Sequence, residues 1–154
     1  MPISNLINLE RTHVGAPGLS KKRALELAAR IAAEASDSLD AHTLFDSLLA
    51  RERLGSTAIG HGVAIPHGRI SGYDQVIGVL LKLTDPIDFN AHDGQPVDLL
   101  FALFVPEDQC QHHLDTLAEL AQRFSNPEFL AELRACNDNF SLHEAVLDWC
   151  AKHP

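Results

Sequence analysis

The sequence predicts an α/β protein made of one domain, with a central mixed β-sheet flanked by helices on both faces. Two nearly continuous apolar runs, at residues 76–83 and 97–105, are typical of strands that are buried on both faces. Segments with helical periodicity precede and follow them, which supplies helices to cover both faces. Because the links within residues 84–96 are short and rich in turn residues, we expect an antiparallel pairing there, and hence a mixed sheet.

Two amphipathic helices are predicted before the sheet. Residues 1–19 show no clear period, and residues 15–18 form a turn in front of Ser20, a residue type that caps helix starts. The first helix covers residues 21–36 with apolar residues at helical spacing. The second begins after Asp40 and ends near residues 51–54, before Gly55.

The stretch GSTAIGHGVAIPHGR, residues 55–69, is the strongest candidate for chemistry. Residues 63–65 form a short buried strand that ends at Pro66, and the glycines around it specify a backbone shape. His67 is then held at the end of a strand, where a mostly neutral imidazole can serve as a nucleophile or general base. A histidine that only packs or faces water is the alternative at this position. Residues 70–75 are polar and predict a loop.

Helical periodicity resumes after Pro106, which closes the second long strand. One helix starts near Gln111 and is broken by Asn126-Pro127, and a short apolar helix follows it. The last helix is predicted from Ser141 to about Ala151, with Ser141 and Glu144 as a capping box.

Composition narrows the function classes. The 154 residues, 45% of them hydrophobic, suit one domain spanning residues 1–154. A net charge of -9 argues against nucleic acid or an anionic membrane as partners and fits a basic protein surface, although such a charge also serves solubility alone. Three cysteines without close spacing suggest neither disulfides nor a thiolate metal site. The chain lacks an apolar run of about 20 residues and a secretion signal, so we expect a soluble, cytoplasmic protein.

The motif GHGVAIPHGR resembles the IIA domain of the phosphoenolpyruvate-dependent sugar phosphotransferase system, of the fructose/mannitol type. The resemblance is strongest to the stand-alone nitrogen-type IIA regulatory proteins and covers most of the chain. It extends through the segments SKKRALEL (20–27), ARERLGSTAIGHGVAIPHGR (50–69) and QPVDLLFALFVPEDQ (95–109).

This resemblance implies a phosphocarrier and regulator without a cofactor or a metal. His67 matches the histidine that accepts the phosphoryl group, by family precedent on Nε2, while His113 and Arg51 match a second active-site histidine and an active-site arginine. The implied donor is an HPr-like phosphocarrier such as NPr, and the implied targets include regulatory proteins such as a sensor kinase or a potassium transporter. Without the resemblance, Arg53 is as good a candidate for the active-site arginine as Arg51. His112, which precedes His113, could likewise be taken for the second histidine. His61 departs from the residues that relatives commonly carry.

Three alternatives remain open on the sequence. The chain can be the IIA component of a fructose/mannitol-type transport system that passes phosphate to a separate IIB protein. It can be a metal-dependent hydrolase that binds zinc through His61, His67, His113 and a carboxylate such as Asp93. It can also be an interaction domain that keeps the fold without phosphoryl transfer.

Overall fold

The computed structural model describes residues 2–154, and in this part of the chain a six-stranded mixed sheet lies between two layers of helices. The strands are β1 (Thr12–Ala16), β2 (Ala58–Gly60), β3 (Val63–Ala64), β4 (His67–Ile70), β5 (Ile77–Ile87) and β6 (Val97–Pro106). The α-helices are α1 (Lys21–Ala33), α2 (Ala41–Arg53), α3 (Leu114–Arg123), α4 (Pro127–Arg134) and α5 (Asn139–Lys152). The predicted α/β fold is confirmed.

The strand order is β1-β5-β6-β3-β2, and β4 also pairs with β6. β5 and β6 are antiparallel, as the short link between them predicted, whereas β1 runs parallel to β5. β3 and β4 follow the same edge of β6, both parallel to it. Between them the Pro66 carbonyl accepts a hydrogen bond from the Leu103 amide at 2.9 Å, which places His67 beside the centre of the sheet.

The side chains of β6 explain why helices cover both faces. Because successive residues of a strand point to opposite faces, an unbroken apolar run needs apolar partners on each side. Leu100, Ala102 and Phe104 pack in the core formed with α1 and α2, while Leu99, Phe101 and Leu103 pack in the core formed with α3, α4 and α5. All six are fully buried.

Helix starts follow side-chain capping. Ser20 and Asp40 accept hydrogen bonds from the backbone three residues later, as predicted for α1 and α2. The capping box predicted at Ser141 is wrong, because Asp138 caps α5 and accepts from the Ser141 amide at 2.7 Å. Ser141 therefore lies inside the first turn of α5.

Some strand boundaries also differ from the prediction. β1 was not predicted, because it is a short strand at the sheet edge without an alternating apolar pattern, and its pairing with β5 defines it. The predicted loop at residues 70–75 is shortened, since β4 runs to Ile70. β5 continues to Ile87 through a predicted turn, with a register shift between Lys82 and Ile87.

The approach to α3 is a 3-10 helix, Glu107–His113, where the prediction had an α-helix starting near Gln111. The α-helix itself begins at Leu114, so His113 is the residue at its N-cap position. Among residues 2–154, no helix is both long enough and apolar enough to cross a membrane.

Candidate functional site

His67 is the first residue of β4 and follows directly on Pro66. Its half-buried ring takes part in two hydrogen bonds, one at each ring nitrogen. Nδ1 lies 3.1 Å from the Ile65 carbonyl oxygen, which can only accept, and Nε2 lies 3.0 Å from Nε of Arg51, which can only donate. The two contacts together specify a neutral imidazole with its proton on Nδ1 and a lone pair on Nε2.

The surroundings of His67 favour this neutral form. Burial lowers the pKa of the imidazole below its ordinary value, the hydrogen bond to Ile65 acts in the opposite direction, and the Arg51 charge lowers the pKa further. The negative charge of Glu52 raises it again, but less than burial lowers it. A neutral imidazole with an unprotonated Nε2 is the form that can act as a nucleophile.

Arg51 comes from the last turn of α2, which ends next to the glycine-rich stretch. Besides its contact with His67, it donates from Nη1 to the Gly55 carbonyl at 2.9 Å. Within residues 2–154 it forms no ion pair with a carboxylate, so both of its partners are neutral. Its charge is therefore available to an anion. Arg53, the alternative from the sequence, is exposed and lies outside the groove described next.

A groove of about 490 Å³ opens beside His67, between α2, β4 and the start of α3. His67, Arg51 and His113 all line it, so the structure brings together the three site residues named from the sequence. The His113 ring has a long contact of 3.4 Å on each side, from Nδ1 to Oγ1 of Thr116 and from Nε2 to Oε1 of Gln109. His112 is exposed and does not line the groove.

Three further residues of the groove were not assigned a role from the sequence. Arg69, two residues after His67, adds a second guanidinium side chain that is exposed to solvent. Leu54 and Leu114 form an apolar rim, with 84% and 56% of their surfaces exposed. The signal for Leu54 was its position just before Gly55, where a helix ends and the side chain leaves the packed face. Leu54 and Leu114 thus add exposed apolar surface to a groove that also holds charged side chains.

His61 and Asp93 lie together, but not at this groove. His61 is exposed with a positive φ of 60°, and Oδ2 of Asp93 accepts a hydrogen bond from its amide at 3.0 Å. His61 lines a separate groove with Asp98 and Arg134. The four residues of the hypothetical zinc site are thus not brought together, and the described residues hold no cluster of three or more ligands suited to a metal.

Several known proteins are similar to this chain over most of its length. A nitrogen regulatory protein of Pseudomonas aeruginosa is 42% identical over 146 residues, which are 95% of each chain. The crystal structure of nitrogen regulatory protein IIA-Ntr from Neisseria meningitidis superposes with a TM-score of 0.82 at 36% identity, covering 94% of this chain and 98% of that one. A fructose-specific EIIA component of Haloferax volcanii is 29% identical over 146 residues, 95% of each chain.

The family model described as phosphoenolpyruvate-dependent sugar phosphotransferase system, EIIA 2, matches residues 5–148, which is nearly the whole chain. The resemblance to the nitrogen-type IIA proteins inferred from the sequence is confirmed. This chain belongs to the EIIA 2 family of the phosphoenolpyruvate-dependent sugar phosphotransferase system.

Proposed function

We propose that this protein is a nitrogen-regulatory IIA phosphocarrier whose His67 accepts a phosphoryl group from an HPr-like histidine phosphoprotein. The observation that carries the proposal is the contact between His67 and Arg51. It joins a neutral imidazole lone pair to a guanidinium that has no carboxylate partner in residues 2–154, at the wall of an open groove. A nucleophile and an anion-binding group are thus already adjacent.

In the proposed transfer, the P–N bond of the donor phosphohistidine breaks as a bond forms between phosphorus and Nε2 of His67. The donor imidazole leaves with the electron pair of the broken bond, and the proton on Nδ1 of His67 stays in place, held by the Ile65 carbonyl. Phosphoryl transfer passes through a loose, in-line transition state, so the protein mainly positions groups and stabilises charge on the equatorial oxygens.

Arg51 changes partners during this step. At rest its Nε–H occupies the Nε2 lone pair, which must be released before Nε2 can attack. The same planar group then turns its donors to the phosphoryl oxygens, for which its geometry is suited. His113, held only by two long contacts, is free to donate to the phosphoryl group from the other side of the groove.

Regulation follows from what phosphorylation does to the surface around His67. The apolar rim of Leu54 and Leu114 suits partners that bury it. A phosphoryl group adds about two negative charges at this position, which disfavours any partner with apolar or acidic groups there. The phosphorylation state therefore selects partners without a large change of shape. We also propose that the protein is cytoplasmic and that the transfer to His67 needs no cofactor.

A second candidate is favoured by the fructose-specific relative from Haloferax volcanii. In this role His67 passes its phosphoryl group to a separate IIB protein of a transport system. Transfer from the phosphorylated protein to a purified IIB domain supports this role, whereas binding of regulatory proteins by the unphosphorylated form alone supports the regulatory one.

The test is a reconstituted phosphorylation. We expect phosphoenolpyruvate, the first enzyme of the system and its HPr-like carrier to produce an acid-labile phosphoprotein with wild-type chain and none with His67→Ala. His61→Ala is the matched control, because His61 lies in the other groove, and it should be labelled normally. Normal labelling of His67→Ala would overturn the proposal. For regulation, wild-type chain and the charge-bearing His67→Asp should retain different proteins from a cell extract.

A further inference from the structure

Glu52 is a buried carboxylate directly next to Arg51 in the last turn of α2. Only 9% of its surface is exposed. Its two oxygens accept three contacts: Oε1 from the Thr57 amide at 3.0 Å and from the Lys21 ammonium at 3.1 Å, and Oε2 from the Thr57 hydroxyl at 2.7 Å. A carboxylate is tolerated in a protein interior when it is paired with a cation and hydrogen-bonded in this way.

These contacts fix the turn that anchors Arg51. The chain leaves α2 at Arg53 and returns at Thr57, and the Gly55 carbonyl between them accepts from Nη1 of Arg51 at 2.9 Å. Holding Thr57 against Glu52 therefore sets the position of the Gly55 carbonyl. That carbonyl in turn sets the orientation of the guanidinium whose Nε reaches Nε2 of His67.

The far side of the turn is held as well. Ser56 donates from its hydroxyl to the Phe89 carbonyl at 2.6 Å, and the Lys21 ammonium lies 4.7 Å from the centroid of the Phe89 ring. Lys21 also contacts Oδ1 of Asn90 at 3.2 Å. Because Phe89 is fully buried, this part of the network is anchored in the core.

We propose that Glu52 is a positioning residue for phosphoryl transfer: through the turn at residues 54–57 it holds the Arg51 guanidinium on Nε2 of His67. This inference rests on the proposed function of His67 as the phosphoryl acceptor. Glu52 does not touch the reacting atoms. It acts through Thr57 and Gly55 on Arg51.

The charge of Glu52 also contributes. Phosphorylation of Nε2, with the proton retained on Nδ1, gives the ring positive charge, and a nearby buried carboxylate stabilises that charge. In the resting protein the same carboxylate raises the proton affinity of His67, against the effects of burial and of Arg51. Removal of the charge should therefore lower the pKa of His67 further.

The experiment compares Glu52→Gln with Asp98→Asn. Glutamine keeps the shape of the side chain and can accept the Thr57 amide, but it has no charge to pair with Lys21. Asp98 is a partly buried carboxylate paired with Arg134 at the other groove, so its loss removes an ion pair without touching the turn. We expect Glu52→Gln to slow transfer from the phosphorylated HPr-like carrier about tenfold or more, because small misplacement of a positioned group is costly. Binding of the carrier should change less than twofold.

Asp98→Asn should transfer at the wild-type rate. In an NMR titration of the His67 ring, the pKa should fall in Glu52→Gln and stay unchanged in Asp98→Asn. A folded Glu52→Gln with wild-type transfer rate and wild-type His67 titration would overturn the inference. If Glu52→Gln does not fold, the transfer rate of Thr57→Val tests the inference instead. This variant removes the hydroxyl that donates to Glu52 and should slow transfer, and a wild-type rate in folded Thr57→Val would overturn the inference. If the wild-type chain accepts no phosphate, the proposed function fails, while the titration still shows whether Glu52 controls His67.

Discussion

Two arginines, Arg51 and Arg134, occupy equivalent places in different helices and do different things. Each lies in the last turn of its helix and reaches the sheet, Arg51 at His67 of β4 and Arg134 at Asp98 of β6. Arg134 donates three hydrogen bonds to Asp98, from Nε to Oδ2 at 3.0 Å, from Nη2 to Oδ1 at 2.9 Å and from Nε to Oδ1 at 3.3 Å, and it also donates to the His61 carbonyl. Within residues 2–154, the Arg51 side chain donates only to neutral acceptors, on His67 and Gly55.

Under the proposed function, this difference in partners separates a structural arginine, Arg134, from a functional one, Arg51. The charge of Arg134 is neutralised by a carboxylate, so this guanidinium clamps α4 to the sheet. The charge of Arg51 has no such partner in residues 2–154, so in the proposed transfer it is fully available to the phosphoryl group. Arg51 and Arg134 are the same residue type and both lie in the last turn of a helix. The two arginines differ in whether the partner side chain carries a negative charge, and we assign their roles from that difference.

The largest effect is expected for Arg51→Ala. Loss of the guanidinium should slow phosphoryl transfer to His67 by about 100- to 1,000-fold, because a preorganised donor to the transition-state charge is removed. Single-turnover transfer from the phosphorylated carrier measures it. Arg53→Ala is the matched control in the same helical turn, and it should transfer at nearly the wild-type rate because Arg53 lies outside the groove. Equal rates for the two variants would contradict the role given to Arg51.

Arg134→Met should lower the stability of the protein and leave the rate of phosphoryl transfer almost unchanged. It leaves the Asp98 carboxylate without its cation, and we expect the free energy of unfolding to fall by roughly 2 kcal/mol, a modest value because the pair is partly exposed. Urea unfolding measures the loss. The transfer rate at His67 should stay within about twofold of wild type, and a large loss of transfer in the folded variant would show that the two ends are coupled.

Two glycine substitutions test whether Arg134 is held firmly in place by Asp98. Gly62 and Gly72 have nearly equal positive φ angles, 76° and 73°. An added Cβ at Gly62 would lie 2.6 Å from Nη2 of Arg134, whereas at Gly72 it meets nothing within 4 Å. We expect Gly72→Ala to cost about 1 kcal/mol of backbone strain and Gly62→Ala about 1 kcal/mol more, since Arg134 must also move. Equal unfolding free energies for both variants would contradict the clamp.

The smallest expected effect is the dependence of transfer rate and stability on pH through His67, the partner of Arg51. Burial lowers the pKa of His67, so the acceptor should stay neutral, and transfer should stay fast, to a pH below the ordinary value of about 6.5. The unfolded chain binds this proton at higher pH than the folded one. The free energy of unfolding should therefore fall as pH drops from about 6.5 towards the lowered pKa.

His67→Gln should lack this part of the pH dependence. Unfolding of both proteins, followed between pH 7.5 and 5 in steps of about half a unit, measures the difference in slope. Parallel curves for the two proteins would show that the folded structure does not perturb His67.

Periodicity and capping predicted most of the fold, because they are local. Both helices before the sheet and the two long strands follow from patterns within a few turns of chain. β1 could not be predicted, since a short edge strand is defined by its partner β5. The start of α5 was misplaced because Ser141 and Glu144 match a capping box, whereas Asp138, three residues earlier, accepts from the Ser141 amide and caps the helix there.

The site was predictable only in part. The glycine-rich motif marked His67 directly, whereas Arg51 and His113 were chosen through the family resemblance, because 16 and 46 positions of separation carry no local signal. The role proposed for Glu52 depends on a turn that brings Thr57 back to α2, and Leu114, an apolar residue at helical spacing, is 56% exposed. Both are properties of the folded chain.

The most direct test of the account is NMR spectroscopy of the phosphorylated protein, with ¹⁵N-labelled histidine and ³¹P detection. We expect one phosphohistidine, with phosphorus coupled to Nε2 of His67 and a proton retained on Nδ1. Phosphorus on Nδ1 of His67, or on His113 or His61, would contradict it.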